Sequence, residues 1–452
     1  MLNIVILAAG KGTRMHSDLP KVLHTLAGNS LLQRVMETAL QLNPTKISVV
    51  YGHGGEAVPK AMSQYQASFV IQEPQLGTGH AVQQAMPELQ DGSTTLILYG
   101  DVPLIQSETL KKILAFPDHL SLLTLNMDNP VGYGRIVRDG SNNVMSIIEE
   151  KDATTEQRNV KEVNTGILSA PTHMLRSWLA SLKNNNVQGE YYLTDIVAMA
   201  VAQGVKVSTS QPAHAWEVMG INSKIQLAEL ERIWQSEQAL RLLQSGVTLA
   251  DPQRIDIRGK LTCGRDVEID VGCIFEGNVH LGNKVRVGAY TVIKNSSIAA
   301  STHIAPFTHI DSAEVGDNCS IGPYARLRPG TKLHKDVHIG NFVEVKNSEI
   351  SNGSKANHLS YIGDSTVGSR VNIGAGTITC NYDGANKYRT VIEDDVFVGS
   401  DTQLIAPVTI KSGSTIGAGS TITKDTVENA LTLSRSKQVT ITGWQRPVKK
   451  PK

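Results

Sequence analysis

The chain reads as two architectures in series: an α/β domain on a mostly parallel sheet, then a parallel β-helix of hexapeptide repeats, joined by one long helix. Three observations predict this. Up to position 222, short apolar runs alternate with helical stretches, the pattern of a parallel sheet covered by helices. Positions 223–245 contain no glycine or proline and repeat Leu227, Leu230, Ile233, Leu240 and Leu243 at helical spacing, ending at Gly246. Beyond that helix apolar residues recur every six positions, a period that neither a helix nor an open sheet produces.

In the first half the spacing predicts strands over 3–8, 46–51, 68–71, 94–99, 120–126 and 164–170, with helices over 29–42, 79–87, 107–115 and 173–182. Ligands of such sheets gather at the carboxyl ends of the strands. In the second half the six-residue beat runs Ile257, Cys263, Ile269, Phe275, Leu281, Val287, Ile293. After a five-residue step it resumes at Ile298, Ile304 and Ile310, then at Ile321, Leu327, Leu333, Ile339 and Val345, and later at Val398, Leu404, Ile410, Ile416 and Ile422. Each hexad forms one side of a coil with its apolar residue inward, so three hexads close a coil of about 18 residues and this half holds roughly nine or ten coils. The expected organisation is an α/β domain over 1–222, a linker helix over 223–246, a β-helix over 247–426 and a C-terminal arm over 427–452.

A formal net charge of +1 supplies no field to draw in nucleic acid or an anionic membrane. The tail Lys449-Lys450-Pro451-Lys452 reads as a solvated end. No apolar stretch approaches the roughly 20 residues of a membrane helix, and the start lacks the layout of a signal peptide. Cys263, Cys273, Cys319 and Cys380 form no CxxC pair and fall at strand positions, which reads as buried reduced thiols. The expectation is a soluble cytoplasmic protein.

The chemistry-bearing stretches begin at the first strand. Its apolar run breaks into Ala8-Ala9-Gly10-Lys11-Gly12-Thr13-Arg14, followed by Lys21. Glycines after a strand let backbone N–H groups approach an anion closely, and Arg14 and Lys21 add charge. The spacing matches neither the Walker loop nor the dinucleotide fingerprint. "LILYGDVPL" delivers Asp101 at a strand exit, a hard oxygen ligand suited to Mg²⁺. "EPQLGTGHA" supplies a second glycine loop able to grip a flat base through its backbone. Together these describe a nucleoside triphosphate site with one metal.

In the β-helix, Arg328 and Lys346 each follow an inward apolar residue and lie 18 positions apart, so they stack on one outer side of neighbouring coils. Like charges so placed repel by about 1–4 kcal/mol, depending on the local dielectric; a bound dianion reverses that cost. Between Lys355 and Arg389 the period lapses after Ile373 into a loop rich in Gly, Asn and Tyr, and loops leaving a rigid scaffold commonly bind ligands.

The motifs "LAAGKGTRM", "PKVL", "QLGTGHA", "YGDVPL", "GYGRIV", "EVNTGI" and "GIN", followed by a long hexapeptide domain, resemble the bacterial bifunctional N-acetylglucosamine-1-phosphate uridyltransferase/glucosamine-1-phosphate acetyltransferase family. The resemblance spans nearly the whole chain, in order. It implies a Rossmann-like nucleotidyltransferase domain and a left-handed β-helix. Residues 7 to 14, including Leu7, Ala8, Ala9 and Gly10, would wrap the phosphates of UTP, with Arg14 and Lys21 neutralising charge on the α-phosphoryl group and pyrophosphate. Gln72, Gly77 and Thr78 resemble the uridine positions, and Tyr99, Gly100, Gly134, Glu149 and Asn164 the sugar pocket. Asp101 and Asn222 match the two protein ligands of Mg²⁺. Met219 departs from the family, which often carries an acidic residue there; the resemblance implies tuning of the metal's surroundings.

In the second domain the resemblance makes His358 the general base, taking a proton from the amine of glucosamine-1-phosphate. Glu344, on the same strand face as Lys346, is a candidate to orient it. Arg328, Lys346, Tyr361, Asn372 and Lys387 resemble the phosphosugar set; Ala375, Asn381, Tyr382, Ser400, Ala418 and Arg435 resemble the acetyl-CoA contacts. The implied partners are glucosamine-1-phosphate, acetyl-CoA, N-acetylglucosamine-1-phosphate and UTP, in a parallel homotrimer that shares its acetyl-transfer sites, supplying precursor for peptidoglycan and lipopolysaccharide. A single-activity sugar nucleotidyltransferase with a structural β-helix would need no Lys346/His358/Asn372 cluster. A non-catalytic scaffold would need no Arg14, Lys21, Asp101 and Asn222 together.

Overall fold

The computed structural model describes residues 1–449; the end of the basic tail, from Lys450 on, lies outside the described residues. The chain divides into two compact units, Met1–Trp234 and Gln235–Lys452, with the division inside the helix Lys224–Gln244.

The first unit is built on a nine-stranded mixed sheet. Leu2–Ala8 lies at its centre, parallel to Lys46–Tyr51 on one side and to Thr94–Tyr99 on the other, and Ser68–Ile71 extends the first edge. Glu162–Pro171 runs antiparallel between Thr94–Tyr99 and Leu120–Asn126, and Val207–Ser210 closes that side in parallel. Leu2–Ala8 is buried on both faces over Ile4, Val5 and Ile6, as a central parallel strand covered by helices must be. One of those helices, Leu31–Leu40, starts where Ser30 accepts from Gln33 N at 3.1 Å and turns Leu31, Leu32, Val35, Met36 and Ala39 inward. Leu2–Ala8, Lys46–Tyr51 and Thr94–Tyr99 therefore end together, and the loops after them form one rim. The hairpin Arg135–Arg138 with Val144–Ile148 hangs from Glu162–Pro171 through Val163 and Arg135.

The second unit is a left-handed β-helix. One inward column runs Val287, Ile304, Ile321, Ile339, Ala356, Ile373, Val398 and Ile416, each paired to the next coil and each buried. The hexad beat in the sequence is this column and its two counterparts. The coil from Ile373 to Val398 is longer than its neighbours on either side, because the chain leaves as a hairpin over 381–388, with Tyr382 bridged to Lys387. At one corner Tyr290, Phe307, Tyr324 and Phe342 take positive φ and stack with centroids 5.4, 5.0 and 5.3 Å apart. All four cysteines are free; Cys273 and Cys319 are buried while Cys263 and Cys380 are half-buried. Burial pushes Cys263 up to about 12 and Cys273 and Cys319 up to about 11, so these thiols are inert at neutral pH.

Ile310 sits fully buried between Ile293 and Leu327. Ile310→Ala is expected to lower the unfolding free energy by about 2–5 kcal/mol, read by denaturant unfolding followed by circular dichroism. A loss below about 0.5 kcal/mol would show that the column does not hold the coils together.

Candidate active sites on the two units

The rim of the first sheet encloses a cleft of about 490 Å³ lined by Leu7, Ala8, Ala9, Gly10, Lys11, Lys21, Val22, Gln72, Gln75, Gly77, Thr78, Ala81, Tyr99, Asp101 and Glu190. Lys21 reaches it because Gly12, at φ 61°, has no side chain: a Cβ there would meet Lys21 Cβ at 2.7 Å. The Lys21 ammonium forms a short ion pair with Asp101 Oδ2 and donates to Asn222 Oδ1 at 2.9 Å. Ile221 N donates to Asp101 O at 2.9 Å, tying the Asn222 segment to the strand exit. A cation thus already lies between two oxygens from distant parts of the chain. The second glycine loop is fixed by Gly79 N donating to Tyr191 O and Tyr191 N to Leu76 O, each at 2.8 Å, and Leu193 N to Thr78 Oγ1 at 3.2 Å. Buried Gln72 donates to Gly77 O at 2.9 Å, and Gln75 donates to Ala9 O at 2.8 Å, joining the two loops.

Beyond the cleft lies a more acidic pocket wall. Burial, aided by Glu149 and Asp101, pushes the Tyr99 phenol above its ordinary range, so it is a neutral donor. Gly166, at φ 86°, is required there, since a Cβ would lie 2.5 Å from the Tyr99 ring. Buried Gly134 faces Glu149 Oε2, 3.4 Å from where its Cβ would stand, and Asn164 N donates to Gly134 O at 2.9 Å. Glu149 accepts from Thr194 at 3.0 Å. Its pKa is raised, by burial first and then by Asp152, Asp195 and Glu190, against the Thr194 hydrogen bond.

On the β-helix, strand register pairs Leu327 with Val345 and Lys346 with Gly363, so Arg328, Lys346 and the Tyr361 strand occupy successive coils on one face. His358 pairs across coils with Asn341, and its Nδ1 lies 2.8 Å from Asn341 Oδ1. That amide oxygen can only accept, which keeps the proton on Nδ1 and leaves the lone pair on Nε2. Ala375 O accepts from Asp401 N at 2.7 Å, Ser400 O from Gly419 N at 2.8 Å and Ala418 O from Arg435 at 3.0 Å. Ala375, Ser400, Ala418 and Arg435 thus climb one corner in consecutive coils.

The family follows from comparison with known proteins. Residues 4–128 match the MobA-like NTP transferase domain, 257–337 the GMPPB C-terminal domain and 389–424 the bacterial transferase hexapeptide of six repeats. The bifunctional protein GlmU of Herminiimonas arsenicoxydans is 63% identical over 99% of both chains. That of Nitrosospira multiformis is 64% identical over 100% of this chain and 99% of its own, and that of Cupriavidus pinatubonensis 61% over all of both. The chain belongs to the GlmU family. As a GlmU-family protein it is a bifunctional transferase, with an NTP transferase domain ahead of hexapeptide transferase repeats.

Several expected residues stand differently from the sequence reading. Exposed Arg14 does not line the cleft. Met219 packs with Met15, Leu31, Leu104 and Ile221 in an apolar cluster, so it supports the loop from beneath. Glu344 does not orient His358: it accepts from Arg328 at 2.8 Å with Arg326 at 3.7 Å, and Asn341 takes the place expected for it. The Asn381 side chain is buried and donates to Asp364. Asn372 lies on the sheet of Lys355 and Phe397, away from the column of Lys346 and Tyr361. Gln75, Gly166, Glu190, Asn341 and Asp364 are not marked by the sequence reading. Among them Gln75, which opens "QLGTGHA", and the glycine of "EVNTGI" carry a local signal.

A raised Glu149 pKa means that its charge costs the fold stability once pH rises through that pKa. Glu149→Gln, whose amide oxygen still accepts from Thr194, is expected to raise the melting temperature at pH 8. The gain should vanish as pH falls below the ordinary glutamate value of about 4.3. A gain equal at both pH values would contradict burial and acidic neighbours as its cause.

Proposed function

We propose that each unit performs one of two successive group transfers. The β-helix moves an acetyl group from acetyl-CoA to glucosamine-1-phosphate; the α/β unit then moves the uridylyl group of UTP to N-acetylglucosamine-1-phosphate, releasing pyrophosphate. The observation that carries this reading is the pairing, in one chain, of a Lys21–Asp101–Asn222 cluster beneath a glycine loop with a histidine whose Nε2 is left free by Asn341.

In the uridylyl step a phosphate oxygen of the sugar phosphate attacks the α-phosphorus of UTP and the bond to the β-phosphate oxygen breaks. Lys21, with the backbone N–H groups from Ala8 to Gly10, offsets charge on the phosphates, and Gln72, Gly77 and Thr78 hold the base. Such chemistry rests on positioning and charge stabilisation. Asp101 and Asn222 are suited to Mg²⁺: their oxygens already accept one cationic group between them. Among the described residues no cluster of three His, Cys, Asp or Glu could hold a metal, and Mg²⁺ bound by one or two protein groups completes its shell with water and substrate phosphate. The metal would add charge neutralisation on the phosphates. Tyr99, Gly100, Gly134, Glu149 and Asn164 would enclose the sugar.

In the acetyl step the sugar amine attacks the thioester carbonyl, His358 Nε2 takes the ammonium proton, and coenzyme A leaves as its thiolate. Arg328, Lys346, Tyr361, Asn372 and Lys387 bind the phosphosugar; Ala375, Asn381, Tyr382, Ser400, Ala418 and Arg435 hold the acetyl donor. The hexapeptide transferase repeats support a parallel homotrimer as the assembly. A cytoplasmic location fits the two co-substrates. Among the described residues no helix is long and apolar enough to cross a membrane.

His358→Ala is expected to slow acetyl transfer by about 10²–10⁴-fold, followed as thiol release, and to leave pyrophosphate release from UTP and N-acetylglucosamine-1-phosphate unaltered. Lys21→Ala should do the reverse. Loss of both activities in either variant would contradict two separate sites.

A further inference from the structure

The β-helix corner that follows the Lys346 strand carries one residue per coil: Asn295, Ser312, Gly330, Asn347, Asp364 and Asn381. Asn295, Ser312, Asn347 and Asp364 have φ of 43°, 50°, 46° and 49°, and Gly330 has 81°. A left-handed corner favours glycine, asparagine and aspartate, and of the residues at this corner only Asp364, which is buried, brings a charge. Burying a carboxylate costs stability unless it is paired, so the turn alone does not account for it.

The surroundings of Asp364 do. Its Oδ1 accepts from Asn347 Nδ2 at 2.5 Å, and its Oδ2 accepts a short hydrogen bond from Asn381 Nδ2. Lys346 Nζ stands 3.9 Å from Oδ2. Burial pushes the Asp364 carboxyl up, but the two amides, Lys346 and then Lys387 outweigh it and hold the carboxyl below its ordinary range. Asp364 is therefore ionised at neutral pH, with both lysines within its field. At 3.9 Å Lys346 is held electrostatically, and its N–H groups remain available to an incoming phosphate. Asn381 opens the 381–388 hairpin that carries Tyr382 and Lys387.

We propose that Asp364 is a positioning residue of the acetyl-transfer site, fixing Lys346 and Lys387 for the sugar phosphate and anchoring the hairpin beside them. This role rests on the acetyl-transfer reading above. One buried carboxylate then joins residues from neighbouring coils to an extruded loop.

The test is steady-state acetyl transfer by full-length Asp364→Asn, with glucosamine-1-phosphate varied at saturating acetyl-CoA. Uridylyl transfer on the other unit serves as the internal control. The KM for glucosamine-1-phosphate should rise by about tenfold or more, as expected when a charge-assisted hold is lost, with kcat less affected and pyrophosphate release unchanged. In the double variant with Lys346→Ala, the combined loss should be smaller than the product of the two single losses, because both act through the same ammonium. An unchanged or lower KM, even with a reduced melting temperature, would overturn the proposal and leave Asp364 as a corner residue. Should Asp364→Asn fail to fold, Asn347→Gly reads the same claim, since it keeps the left-handed backbone but removes one donor to the carboxylate. A raised KM in that variant supports the proposal and an unchanged KM overturns it. If the unmutated chain itself transfers no acetyl group, the functional reading fails instead, a different result from parity between variant and parent.

Discussion

A coil of the β-helix closes roughly every 18 residues, and everything on its surface follows from that closure. Residues one coil apart stand beside one another across a strand spacing of about 4.8 Å. Asn341 is thereby set against His358, Arg328 against the Lys346 coil, and Asn347 and Asn381 on either side of Asp364. The apolar columns fix the register, since a slip of one residue would turn the whole inward set to solvent. A packing constraint thus becomes a chemical one, because polar groups far apart in sequence are brought to hydrogen-bonding distance. The single long coil between Ile373 and Val398 keeps the register while letting the 381–388 hairpin leave the scaffold.

In the α/β unit the corresponding constraint is the shared ending of three parallel strands. It brings Asp101 and the glycine loop to one rim, and Asn222 arrives there from the segment just before the long helix. The Lys21 ammonium between Asp101 and Asn222 offsets repulsion between two electron-rich oxygens and marks where positive charge is favoured. Elsewhere in the pocket, Glu149 and Tyr99 are both pushed toward their neutral forms. The cleft therefore has a lysine-bearing end suited to phosphates, and beyond it a hydrogen-bonding wall suited to a sugar.

Much of this was legible in the sequence. The strands at 3–8, 46–51, 68–71, 94–99, 120–126 and 164–170 fall close to the observed ones, because short segments rich in apolar residues between polar or turn-forming ones leave little alternative. The hairpin Arg135–Arg138 with Val144–Ile148 and the edge strand Val207–Ser210 carry no such signal, since their mixed polar composition is that of half-exposed strands. Stacking of Arg328 with Lys346 follows from counting one full coil of three hexads along the chain. Asn341 and Asp364 meet their partners across coils shortened by one position, where the hexad count is interrupted, so these pairs are invisible until the register is known. Position along one strand points Glu344 toward His358, but two arginines of the preceding coil, Arg326 and Arg328, pair with it instead.

On the two-transfer reading, one chain carries a single substrate through both reactions. The direct measurement follows carbon-13 from acetyl-labelled acetyl-CoA by NMR, with the chain, glucosamine-1-phosphate, UTP and Mg²⁺ in one tube. The label should pass to N-acetylglucosamine-1-phosphate and then to UDP-N-acetylglucosamine, with pyrophosphate appearing in step with the last. Label that stays on coenzyme A, or stops at the sugar phosphate, would contradict it.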